Sequence, residues 1–69
     1  MEFTIYQVIA YLGQIENKNR VFSRVNDDKF KVWRGAYGDI MMELNDIIRP
    51  LPIFNYIQDK FILEESNNE

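Results

Sequence analysis

Residues 20–35 read RVFSRVNDDKFKVWRG, and the way this stretch folds back on itself decides the architecture of the chain. It alternates. In 20–25, Val21, Ser23 and Val25 are apolar or small while Arg20, Phe22 and Arg24 point the other way. In 29–34, Phe30 and Val32 alternate with Lys29, Lys31 and Trp33. A period of two belongs to strands, and the intervening Asn26, Asp27 and Asp28 form turns readily. The pattern predicts an antiparallel hairpin over 20–34 with its turn at 26–29. In the expected register Val25 pairs with Phe30, Ser23 with Val32, Phe22 with Trp33 and Arg24 with Lys31. Val21, Val25, Phe30 and Val32 then share a core face. Arg20, Phe22, Arg24, Lys31 and Trp33 share the opposite, basic and aromatic face, and a slip of one residue would scatter the apolar set.

Before the hairpin, residues 4–15 carry complete helix-start signals. Thr4 stands as N-cap with Gln7 three positions on, a capping box, and Phe3 and Val8 occupy the positions of a hydrophobic staple. Ile5, Val8, Ile9 and Leu12 then recur at helical spacing. After the hairpin, Gly35 and Gly38 mark a loop. DIMMELNDIIRP reads as a second short helix near 39–48, with Asp39 as N-cap, Ile40, Leu44 and Ile47 on one stripe, and Pro50 as the stop. A strand over IMMEL competes, because Ile40, Met42 and Leu44 also alternate. Residues 53–64 fit either a helix beginning at Pro52 or two strands around Gln58-Asp59; β-branched and aromatic enrichment favours the strands. The expected fold is α+β: an N-terminal helix packed on a small antiparallel sheet built around the hairpin. A single compact domain over 1–65 and a frayed acidic tail at 66–69 complete it.

Sixty-nine residues bury only about 60% of the surface that the unfolded chain exposes, so stability rests on tight packing or on self-association. There is no Cys and no His. Disulfides are therefore excluded, and with them almost all zinc, copper, haem and iron–sulfur chemistry. No cofactor or metal is expected. The acid at position 2 and the missing basic segment argue against a secretory signal, and no apolar run approaches the roughly 20 residues that span a bilayer. A cytoplasmic protein that does not enter membranes is expected.

Charge is segregated along the chain. Residues 18–34 hold six bases and two acids, whereas 35–69 hold two bases and seven acids, within a net charge of −3. Internal ion pairing, charge-guided homodimerisation and a charged binding surface would each produce this map. Catalysis has few parts to work with: Ser23, Ser66 and Thr4 lack any His to activate them. Asp39, Glu43 and Asp46 are explained by a solvated face, and GAYGD matches neither a phosphate-binding loop nor a dinucleotide fingerprint.

In its opening helix TIYQVIAYL, its basic hairpin VFSRVNDDKFKVW and its acidic close DKFILEE, the chain resembles the small orphan early, host-directed proteins of Bacillus-type phages and prophages. The resemblance implies a non-enzymatic role, commonly the sequestering or inhibition of a host protein. The expected function is thus a protein-binding module acting through Arg20, Phe22, Arg24, Lys31, Trp33, Arg34 and Tyr37, since Trp, Tyr and Arg dominate such interfaces. The alternatives are a nucleic-acid or nucleotide binder using the same face, against which the overall acidity argues, and a DNA mimic using the acidic half.

Overall fold

The computed structural model describes residues 1–65, so the expected tail at 66–69 lies outside the described residues. The protein is a small α+β fold with one helix, α1 (Ile5–Leu12), and six strands: β1 (Phe3–Thr4), β2 (Val21–Arg24), β3 (Asp27–Arg34), β4 (Ile40–Leu44), β5 (Ile47–Pro50) and β6 (Lys60–Leu63). The strands form one sheet in the order β1-β6-β2-β3-β4-β5, and every pair is antiparallel. From β2 to β5 the chain meanders. The connection over 51–59 then returns it across the sheet, so that β6 inserts between β1 and β2.

The start of α1 follows from local chemistry. The Gln7 N–H donates to Thr4 Oγ1 at 3.2 Å and the Thr4 N–H donates to Gln7 Oε1 at 2.8 Å, so two otherwise orphaned donors are satisfied. The helix ends at Leu12 rather than at 15, and a short 3₁₀ turn follows at Ile15–Asn17. Side chains take its terminal carbonyls: Asn17 Nδ2 donates to the Tyr11 oxygen at 3.0 Å and Arg34 Nη1 to the Leu12 oxygen at 3.2 Å.

The second helix expected near 39–48 is not formed. That stretch is the β4–β5 hairpin, in which Leu44 pairs with Ile47 and Met42 with Arg49. Its turn residues Asn45 and Asp46 have φ of 54° and 66°. Two successive left-handed residues form the turn whose twist matches the strands on either side, and Asn and Asp tolerate that region better than other non-glycine residues. Of the two readings of 53–64, neither holds entire: Ile53–Tyr56 is a 3₁₀ turn, and only Lys60–Leu63 is strand.

The hairpin of β2 and β3 forms one residue away from the expected register. Phe22 pairs with Val32, Ser23 with Lys31 and Val21 with Trp33, and the turn is the pair Val25 and Asn26, the latter at φ 67°. Between Ser23 and Arg24 the ladder shifts, so that Arg24 meets Asp27 while Asp28, Lys29 and Phe30 bulge out of register. This slip moves Phe22 into the core and Val21 out of it. Phe22, Phe30, Val32, Met42 and Phe61 are fully or almost fully buried against Ile5, Val8 and Leu12 of α1 and against Leu51. The physical reason is the size of the aromatic side chains. A buried Phe removes more apolar surface from water than a Val, at about 25 cal/mol per Å², and ring contacts add to it. Phe22 stands edge-on to Phe3 and Tyr11, with centroids 5.1 and 5.4 Å away, and Phe30 does the same with Tyr56 at 4.9 Å.

Candidate functional site

The seven residues expected to share a surface are divided by the register. Arg20, Phe22, Arg24 and Arg34 lie on the helix side of the sheet, Lys31 and Trp33 lie on the other, and Tyr37 stands at the tip of the β3–β4 loop, 98% exposed. Phe22 is completely buried and offers nothing to a partner. The three arginines serve the fold. Arg20 reaches Tyr11 Oη at 3.3 Å and the Glu64 carbonyl at 3.4 Å. Arg24 pairs with Asp27 at 2.8 Å and Asp59 at 3.4 Å, and its guanidinium lies 4.6 Å from the Phe30 ring centroid. The hydrogen bond to Asp27 is the main cause holding the Arg24 guanidinium above its ordinary pKa. Arg34 caps α1, as described above. A continuous basic and aromatic face is therefore absent among the described residues.

A different surface takes its place. The apolar faces of α1 and of the 51–59 connection all turn toward the Phe22 side of the sheet. Among the described residues no element covers the reverse side. The register lays out its side chains in two rows across the strands. One row runs Val21, Trp33, Met41 and Pro50 over β2, β3, β4 and β5; the other runs Ile62, Ser23, Lys31, Glu43 and Ile48 over β6 and the same four strands. The first row is apolar throughout. Trp33 and Met41 are half-buried, while Ile48 and Ile62 are well exposed at the two ends of the second.

The centre of the mixed row is fixed electrostatically. Lys31 Nζ is paired with Glu64, and the Ser23 hydroxyl donates to the same carboxylate oxygen, Oε2. Burial pushes the Glu64 carboxyl up, but the hydrogen bonds from Lys31 and Ser23 and the nearby ammonium charge outweigh it and leave the group below its ordinary value. Ser23 itself is buried, 3% exposed, with its hydroxyl taken up by the Glu64 carboxylate.

The edge beside this face is poorly suited to strand addition. In the alternation of the β4–β5 ladder, Ile47, Arg49 and Leu51 direct their backbone groups inward, and the Leu51 N–H reaches the Ile40 oxygen at 3.0 Å. Ile48 and Pro50 face outward, and Pro50 has no N–H to offer. At the turn end of the face a shallow groove of about 420 Å³ is lined by Asp28, Lys29, Lys31, Glu43, Asn45 and Asp46. Its charges are of both signs.

Comparison with protein-family models, with curated proteins and with solved structures finds no match. The geometry is the guide.

Val21 was expected in the core, and Met41, Glu43, Ile48 and Ile62 were not expected at the site. Their signal lay in the alternation of IMMEL and KFILE, which becomes readable once Phe22 is assigned to the core.

Proposed function

We propose that the chain is a small non-enzymatic protein-binding module of the cytoplasm and that its docking surface is the uncovered sheet face centred on Trp33. The observation that carries this reading is the apolar row Val21, Trp33, Met41 and Pro50, which crosses four strands with no helix over it among the described residues. A buried aromatic anchor ringed by polar groups is the usual anatomy of a protein interface. Lys31, Glu43 and Glu64 supply that ring, and Tyr37 extends the contact at the loop end. Arg20, Phe22, Arg24 and Arg34 leave the contact set, since each is engaged within the fold.

The resemblance to phage and prophage early proteins supports a host protein as the partner and inhibition as the consequence. The nucleic-acid alternative is weakened by the same geometry: its basic residues lie on opposite faces, and Arg24 and Lys31 are already paired with acids.

The test is capture of the partner by tagged wild type and by Trp33→Thr, a substitution that keeps strand propensity. The expected result is a bound protein that disappears with Trp33→Thr and persists with Arg34→Lys. A partner retained by Trp33→Thr would contradict the assignment of the face.

A further inference from the structure

We propose that the groove at the C-terminal end of α1 binds the phosphoryl group of a small phosphate, independently of the Trp33 face.

The groove, of about 360 Å³, lies between the segment that leads into β2 and the β3–β4 loop, and is lined by Ile15, Lys18, Asn19, Arg34, Gly35 and Ala36. Two of these side chains are cations and none is a carboxylate. The larger groove at the turn end, by contrast, sets Asp28, Glu43 and Asp46 against its two lysines. Among the described residues the ion pairs of the basic stretch belong to Arg24 and Lys31, and neither Lys18 nor Arg34 is in one. Glu16 and Asp39 are the acids nearest in the sequence, yet neither pairs with a cation there. The Asp39 carboxylate lies on the reverse side of Gly35, together with Met41.

Arg34 is positioned for capture before any ligand arrives. Its Nη1 donates to the Leu12 and Gly13 carbonyls at 3.2 and 3.5 Å, which fixes the guanidinium and satisfies the end of α1. Nε and Nη2 take no part in those bonds. Gly38, at φ 90°, brings no side chain against them: a Cβ there would stand 3.6 Å from Nη2. On the two sides of the groove, the N–H groups of Asn19 and Ala36 donate to no backbone carbonyl of the described residues.

Donors from two segments and two positive charges suit a tetrahedral dianion with three free oxygens better than a planar carboxylate with two. Ile15, 65% exposed, adds an apolar wall for the carbon part of a phosphate monoester. The chain as a whole carries −3, so attraction of an anion is a property of this corner and not of the net charge.

The experiment is a titration of the isotope-labelled full chain, followed by its amide resonances, with inorganic phosphate, phenyl phosphate and benzoate in turn. Ionic strength is held constant with sodium chloride, at about pH 8, where the phosphoryl group is a dianion. Saturable shifts are expected at Asn19, Gly35 and Ala36 with both phosphates, in the millimolar range, and weaker ones with benzoate. Lys18→Gln changes an exposed side chain and is expected to weaken both phosphates about fivefold, the effect of one unit charge at about 4 Å in water. Lys60→Gln removes the same charge beside Val25, at the far end of β2, and is expected to leave binding unchanged. A tighter phenyl phosphate, returned to the level of inorganic phosphate by Ile15→Ser, identifies a monoester as the source of the phosphoryl group, and equal affinities identify free phosphate. Shifts that do not saturate, or that map away from the groove, overturn the inference. So does a Lys18→Gln variant that binds like wild type or like Lys60→Gln, and so does benzoate binding as tightly as phenyl phosphate.

Discussion

Phe22 and Trp33 show how much one position of register decides. Alternation within each strand is plain in the sequence, and it correctly sets Phe22 apart from Val21 and Trp33 apart from Val32. It does not say which alternate set goes inward. The choice falls to the side that buries three Phe rings, because contacts from Phe3, Tyr11 and Tyr56, distant in the sequence, are available only there. Phe22→Ala should therefore cost about 3–5 kcal/mol, comparable with the whole stability of so small a domain, and circular dichroism should show a largely unfolded chain at 37 °C. At Glu64 the expected effect depends on pH. Its folded pKa is depressed, so its contribution to stability is present above the unfolded value of 4.5 and is lost as pH falls through the lower folded value. Melting temperatures of wild type should consequently fall more steeply below pH 4.5 than those of Glu64→Gln. Equal slopes would mean that the contact with Lys31 and Ser23 does not persist in solution.

Among the elements, α1 is the most legible because its signals are local: Thr4 and Gln7 form the capping box within four consecutive residues. The β4–β5 hairpin is the least legible. Ile40, Leu44 and Ile47 fit a helical stripe and a strand pair alike, so periodicity could not arbitrate, and the deciding signal was the dipeptide Asn45-Asp46. Both of its residues occupy the left-handed region. Asp46→Gly should then raise stability by about 0.5–1 kcal/mol, since glycine adopts that conformation without a steric cost. Asp46→Val should lower stability by at least about 1 kcal/mol. Urea unfolding of the two variants measures both effects; a destabilising glycine would argue against the turn. The short turn between β2 and β3 is hard to read from the sequence for a related reason. Two residues, Val25 and Asn26, make the connection, and the bulge at 28–30 absorbs the offset that a four-residue turn was expected to supply.

At the scale of the whole molecule, and among the described residues, one helix and one crossing connection cover a six-stranded sheet on a single side. The segregation of charge along the sequence does not become a segregation of surfaces. It resolves into pairs such as Arg24 with Asp59 and Lys31 with Glu64, each joining the basic hairpin to the acidic second half. The α+β class was legible from composition and alternation, whereas the open face was not, because it depends on where β6 inserts and on which side the 51–59 connection crosses. Both are long-range choices that no local pattern records. The central claim is that Phe22 lies under the cover and Trp33 outside it. Thermal unfolding of Phe22→Ala beside Trp33→Thr tests it most directly. The structure predicts that Trp33→Thr, at a half-buried position, still melts cooperatively at a cost of about 0.5–3 kcal/mol, while Phe22→Ala shows no folded baseline. A folded Phe22→Ala with an unfolded Trp33→Thr would place the core on the other side of the sheet and contradict the account.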